Sequence, residues 1–318
     1  MLKLCTWACY AKPIPWLATI PAVEQTLPAA CTVMDKLFPL GSAKEFQLER
    51  NMNRRSWRPQ TQDGDDPTRF YPSTNEIRRD LYTGRPPDES PYNGYEPFNA
   101  TEKQRVEATY VSWAQKTAHI IHKLVRTRLD GHPPRLVVEV GSFIGSGAIH
   151  VWGKLASQQS ASREERMSVI CVDTWQGALL MKLGSLRSIF KMKKGAPTIQ
   201  ELFMRRVLTN GLQDTIFPLA HPGIGGAKLL YLLGYRVDVV YVDSAHEMGE
   251  TLIELHLYYQ LLRPGGLMMG DDLLWIAVQH DLDTFCACHN VTAERFGTNQ
   301  WLVKKPLRSN TATDSKSK

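Results

Sequence analysis

The sequence of 318 residues predicts an α/β protein: a doubly wound parallel sheet closed by a C-terminal hairpin, with helices on both faces. Three observations predict it. Short apolar runs rich in β-branched residues alternate with helical patterns from Arg135 onward. A glycine-spaced turn follows the first of these runs. Acidic residues stand where several of the runs stop, the position at which open parallel sheets bind ligands.

The first run, Leu136–Val140, is too apolar for a half-exposed strand and reads as a buried parallel one. It is followed by Gly141-Ser142-Phe143-Ile144-Gly145-Ser146-Gly147, so that Glu139 and the three glycines form the pattern E-x-G-x-x-x-G-x-G. Glycines at such spacing let the backbone turn sharply, approach a ligand and enter a helix, here Ala148–Ala156. Further strands are read at Val169–Val172, Ile216–Leu219, Val237–Val242 and Leu267–Met269, with helices at Thr198–Leu208 and Met248–Leu262. Right-handed crossovers make these one Rossmann-like sheet of five parallel strands. The runs Val291–Phe296 and Gln300–Val303, joined by Gly297-Thr298-Asn299, form a hairpin that brings the sheet to seven strands.

Upstream, a helix opens at Asn99 or Thr101, carries Val106, Tyr110, Trp113, Thr117, Ile120, Ile121 and Leu124 at helical spacing, and stops at Gly131-His132-Pro133-Pro134. Residues 1–98 are read as an irregular arm with short helical pieces, partly ordered against the core or else a flexible linker; 99–306 form the main domain, and 307–318 are a polar, disordered tail.

Composition excludes several classes. Hydrophobic content of 43% and charged content of 22% suit a soluble globular chain. Pro13, Pro15 and Pro21 interrupt the one N-terminal stretch that could otherwise span a membrane. The six cysteines form no disulfide ladder, which points to a reducing, cytoplasmic setting; the N-terminus leaves organellar targeting open. Cys286-Ala287-Cys288-His289 is one residue short of a haem motif and lacks a second ligand pair, so it reads as a helix end with two incidental thiols. Between Ala178 and Arg206 seven basic residues (Lys182, Arg187, Lys191, Lys193, Lys194, Arg205, Arg206) face Glu201 alone. That excess of six equals the net charge of the whole chain, and it predicts a positive field over the site mouth and a small-molecule ligand that is anionic or delivered by an acidic carrier. Nucleic acid is disfavoured, since no aromatic residues interleave with the basic ones as a stacking platform would need. A homodimer is compatible with the sequence.

The strand ends carry the chemistry. Asp173-Thr174-Trp175-Gln176-Gly177 closes the second strand, where an acid can accept hydrogen bonds from a ribose diol. Asp243, with His246 three residues on, closes the fourth, and Asp271-Asp272 the fifth. Like charges gathered this way call for a divalent cation, and hard oxygen ligands favour Mg²⁺, Mn²⁺ or Ca²⁺ over zinc.

The glycine spacing resembles motif I of class I S-adenosylmethionine (SAM)-dependent methyltransferases. Asp173-Thr174-Trp175-x-Gly177, Asp243-x-x-His246, Leu262-Arg263-Pro264-Gly265-Gly266 and Gly270-Asp271-Asp272 resemble the type-24 methyltransferase domain family. That family is related to catechol and caffeoyl-CoA O-methyltransferases and to macrocin-type sugar O-methyltransferases. The resemblance implies SAM held by Glu139, Gly141, Ser142, Gly145, Gly147, Asp173, Thr174 and Trp175. It also implies a metal on Asp243, Asp271 and Asp272, and catalysis by Asp243 and His246. His246 stands where the catechol-type enzymes have a lysine base, and His221-Pro222-Gly223 offers no acid or serine for the adenine amine. The expected function is SAM-dependent O-methylation of a small-molecule hydroxyl with divalent metal assistance. The rival readings are metal-independent methyl transfer, a related non-transferase of the cephalosporin hydroxylase-like kind, and a SAM-fold binding protein without catalysis.

Overall fold

The computed structural model describes residues 71–82, 90–109, 113–159, 166–178, 191–244 and 246–307. The expectations for residues 1–70, for the tail beyond 307, and for Lys182 and Arg187 lie outside them.

The described chain begins with α1 (Thr74–Leu81), opened by a capping box in which Ser73 and Glu76 satisfy each other's backbone groups. Then come α2 (Ala100–Thr109) and α3 (Trp113–Arg128), the two described stretches of the helix expected from Asn99 to Leu124. Asn99 and Glu102 cap α2 reciprocally, at 2.9 and 3.1 Å.

The sheet order is β5-β2-β1-β6-β7-β9-β8, from β1 (Leu136–Val140), β2 (Ser168–Asp173), β5 (Ile216–Ala220), β6 (Val237–Val242), β7 (Leu262–Gly270), β8 (Ala293–Phe296) and β9 (Gln300–Lys304). The first five named pair in parallel, and β9 runs antiparallel to both β7 and β8. The predicted architecture is therefore observed. Strand order reverses between β1 and β6, the kind of switch at which open parallel sheets bind their ligands. Alternation along β1 sends Leu136, Val138 and Val140 into the core under α6 (Gly223–Leu232) and α7 (Glu250–Leu261). Val137 joins the opposite core, with α3 and α5 (Ile199–Thr209).

Several boundaries differ from the sequence reading. After Gly147 the chain enters a π-helical stretch, Ala148–Gly153, before α4 (Lys154–Ser157). A two-stranded ribbon, β3 (Met192–Lys193) with β4 (Ala196–Pro197), precedes α5. Strand β7 starts at Leu262, so Leu262-Arg263-Pro264-Gly265-Gly266 is strand; the register slips between Val237 and Val239, absorbing the extra residues opposite. Helix α8 (Ile276–His289) ends in the Cys286–His289 segment as expected. Cys286 is a free thiol, but Cys288 is disulfide-bonded, which corrects the reading of both as unengaged.

The described part of the arm is no loose appendage. Ile77 and Tyr92 are buried in the two cores; fully burying a side chain like Ile77 stabilises by about 1.5–3 kcal/mol. The Tyr82 and Tyr92 hydroxyls donate to the Pro218 and Ile216 carbonyls, covering edge strand β5. At the amino ends of the strands, buried Asp238 accepts from the Tyr71 hydroxyl, the Arg135 and Leu136 backbone and Arg263 Nε.

Candidate active site

The parallel ladders run out level with one another. Gly141 N–H donates to Val172 O and Asp243 N–H to Val140 O, each at 2.8 Å, and Asp271 N–H reaches Val242 O at 3.2 Å. Gly141, Asp173, Asp243 and Asp271 thus share one row along the carboxyl edge, astride the β1/β6 switch.

The glycines of the first loop are demanded by the protein itself. A Cβ on Gly141 would lie 2.0 Å from Asp243 O, one on Gly147 2.0 Å from Glu139 Oε1, and one on Gly145 2.9 Å from the Phe203 ring. Gly141 and Gly145 also hold φ of +88° and +80°, which side chains rarely adopt. The sequence suggested that they clear room for a ligand; the room they clear is filled by protein.

Glu139 is wholly buried beneath Gly147, and burial pushes its pKa up to about 7. Ser142, also buried, lies with its hydroxyl 3.5 Å from Glu139 O. Asp173 clasps two loops at once: Oδ2 accepts from Phe143 N–H at 2.7 Å and Oδ1 from Trp175 N–H at 2.6 Å. Burial raises its pKa, with these backbone bonds working the other way. Thr174 is exposed and accepts from Gln176 N–H. Trp175 is 2% exposed, gives its indole N–H to Phe143 O and packs on Phe203, so its ring supports the loop from below.

Across the switch, Asp243, His246 and Asp272 offer ligand atoms all within 4.8 Å of one another, the one such group among the described residues. His246 Nε2 lies 2.5 Å from Asp272 Oδ2. Burial opposes the imidazolium, but the Asp272 hydrogen bond and the charges of Asp272, Glu254 and Asp271 outweigh it, and the His246 pKa is raised. Asp243 is held well above the usual carboxylate range by burial and by the charges of Asp271 and Asp272. Asp271 is not in this group: its Oδ1 accepts from Asp272 N–H and from Gln300 Nε2, and burial lifts its pKa to about 6.

Four supporting residues carried no sequence signal of their role. Arg206, counted only as part of the basic excess, is 3% exposed and donates to Ile144 O and Ser146 Oγ of the glycine loop. Glu254, on α7, bonds the Ser244 hydroxyl. Asn299 and Gln300, read as turn and strand start, donate to Asp272 and Asp271. Phe143, Trp175 and Asp272, at φ of 46°, 51° and 60°, hold left-handed backbone at this edge, the strain expected where surroundings over-determine a site.

Residues 138–273, from β1 through the acid pair, match a family model described as "Methyltransferase domain", type 24. This segment is a SAM-dependent methyltransferase domain. Among solved structures the chain is similar to the O-methyltransferase from Bacillus cereus in complex with SAH (14% identity, 73% of this chain, 96% of the other, TM-score 0.45). It is also similar to a methyltransferase from Geobacter sulfurreducens (18%, 70%, 92%, TM-score 0.42). A third is CalS11, a TDP-rhamnose 3'-O-methyltransferase of calicheamicin biosynthesis (10%, 73%, 92%, TM-score 0.45). No curated protein matches the chain.

Around the methyltransferase domain the basic excess is partly structural. Besides buried Arg206, Arg205 pairs with Glu102 at 3.0 Å and stacks on Phe98. Lys193 pairs with Glu201, and Lys191, Lys193 and Lys194 are exposed. No helix among the described residues is long and apolar enough to cross a membrane.

Proposed function

We propose that the domain transfers the SAM methyl group to a hydroxyl of a small molecule, with a divalent cation held at the ends of β6 and β7. The convergence of Asp243, His246 and Asp272 carries this reading. Two carboxylates at such range, beside an imidazole, fit a hard cation, and the burial and neighbouring acids that push the Asp243 pKa up are what a bound cation would relieve. Such a cation, when bound, lowers the pKa of an acceptor oxygen. Asp243 and Asp272 would hold it, with Asp271 behind them.

Methyl transfer from a sulfonium is an in-line displacement, so the protein must orient both partners and exclude water. Asp173 would accept from a ribose diol with the lone pairs left beyond its bonds to Phe143 and Trp175, and the 141–147 loop would meet the cofactor's amino-acid end. His246, aligned by Asp272, removes the acceptor proton. Trp275, its ring 5.2 Å from that of His246, and exposed Leu274 and Ile276 supply apolar surface at the same rim.

The test incubates the protein and methyl-labelled SAM with a metabolite extract, with and without chelator. Label should enter hydroxyl-bearing products, stop on chelation and return with Mg²⁺ or Mn²⁺. His246→Ala should slow transfer about 10²–10⁴-fold. Undiminished transfer in stripped protein would remove the metal, and a slowing below threefold would remove the base.

A further inference from the structure

We propose that Asn299, in the β8–β9 turn, is the positioning residue that sets the Asp272 carboxylate, so that the acid–imidazole cluster depends on the C-terminal hairpin for its geometry. The proposal rests on the reading of that cluster given above.

The Asn299 side-chain amide works at both ends. Its Nδ2 donates to Asp272 Oδ1 at 3.0 Å, and its Oδ1 accepts the Leu274 N–H at 2.7 Å. Its backbone carbonyl accepts the Leu273 N–H at 2.9 Å. Three hydrogen bonds from one residue therefore hold three consecutive residues after β7. The first of these, Asp272, has a φ of 60°, and its carbonyl takes the Trp275 N–H at 2.8 Å to close the turn. A left-handed non-glycine residue persists only where its surroundings enforce it. With Oδ1 claimed by Asn299, it is Oδ2 that meets His246 Nε2. The next hairpin residue, Gln300, does the same for Asp271, so each acid of the pair receives one amide donor from the hairpin.

Position 299 needs a donor and an acceptor a fixed distance apart, which only an amide of this length supplies. Aspartate there keeps the acceptor for Leu274 but sets a carboxylate against Asp272 Oδ1. Alanine removes both bonds and adds no charge. The two replacements therefore separate a positioning role from a merely structural one. If Asn299 only braces the turn, Asn299→Asp, which keeps one bond, is the milder change. If it positions Asp272, Asn299→Asp is the more damaging.

The experiment uses the full chain and three readouts. Mn²⁺ binding is followed by electron paramagnetic resonance, the His246 Nε2 resonance by ¹⁵N NMR of histidine-labelled protein, and S-adenosylhomocysteine binding by calorimetry as the control on the fold. Mn²⁺ affinity should fall about tenfold in Asn299→Ala, as for loss of a ligand-orienting partner, and further in Asn299→Asp. The His246 resonance should move in both, with S-adenosylhomocysteine affinity within threefold of wild type. An unmoved His246 resonance in both variants, or an Asn299→Asp milder than Asn299→Ala, overturns the proposal. Wild-type protein that binds no Mn²⁺ removes the metal from the preceding reading, and the His246 resonance then decides this one alone.

Discussion

Glu139 sits in the apolar interior with no cation beside it among the described residues, and its proton makes that tolerable. Its pKa is about 7 folded against 4.5 for an ordinary glutamate, so between these limits the unfolded chain releases a proton that the native state keeps. Native stability from this group therefore falls as pH rises from 4.5 to 7 and is level above, by about 3 kcal/mol in all. His150, lowered to about 4 by burial and the Arg206 and Lys154 charges, acts in the opposite sense, so the comparison must be between variants. Glu139→Gln should gain on wild type by up to that amount across the window in urea unfolding; a constant difference would show that the carboxyl ionises freely. Asp173 makes a second case. It was legible from its place at a strand end, but its backbone clasp was not, because nothing in Asp173-Thr174-Trp175 reports that Phe143 would lie beneath it. Asp173→Asn puts an amide where two N–H donors point, and should weaken S-adenosylhomocysteine binding by about 1–3 kcal/mol in calorimetry. Affinity equal to wild type would place the ribose elsewhere.

At the scale of elements, β-branched runs marked the parallel strands to within a residue or two, because a strand buried on both faces admits little else. The start of β7 was hidden. Helix α7 passes at Leu261 directly into strand, and Pro264-Gly265-Gly266 imitates a loop. Helix α6, beginning Gly223-Ile224-Gly225-Gly226, carries glycines that propensity counts against a helix. The structure shows why Gly226 is there: a Cβ would lie 2.5 Å from Val172 Cγ1. Helix α5 shows how charge counting misleads. Of its neighbouring basic residues Arg206 turns inward to hold the glycine loop, while the lysines of the β3–β4 ribbon stay in solvent. Arg206→Met should weaken S-adenosylhomocysteine binding at least tenfold, since it leaves Ile144 O without this donor. Neutralising Lys191, Lys193 and Lys194 together should leave that affinity within twofold. Its effect should appear instead as a salt-dependent rise in KM if the acceptor is anionic. Equal losses in the two variants would contradict this division.

For the molecule as a whole, the sheet and its strand-end acids were legible from Arg135 onward, whereas of the arm only its short helical pieces and partial order against the core were legible, not its partners. The sequence placed the domain start at 99, yet Ile77 lies in one core, Tyr92 in the other, and the Ser73-x-x-Glu76 box was the available sign of a real helix. A chain beginning at 99 should show more self-association in light scattering than the full chain at equal concentration, since it uncovers β5; an unchanged monomer would return the arm to an appendage. The same stitching also imposes an order in time. Tyr82 is 136 residues from its partner Pro218, and Tyr71 is 167 from Asp238. On a growing chain the arm leaves the ribosome before its partners and waits, at about 5–20 residues per second, for them to be made. Its docking must follow the synthesis of β5 and β6. A newly made molecule therefore spends several seconds with residues 71–92 unhoused, and the arm's amides should gain protection from exchange after those of β1 and β2.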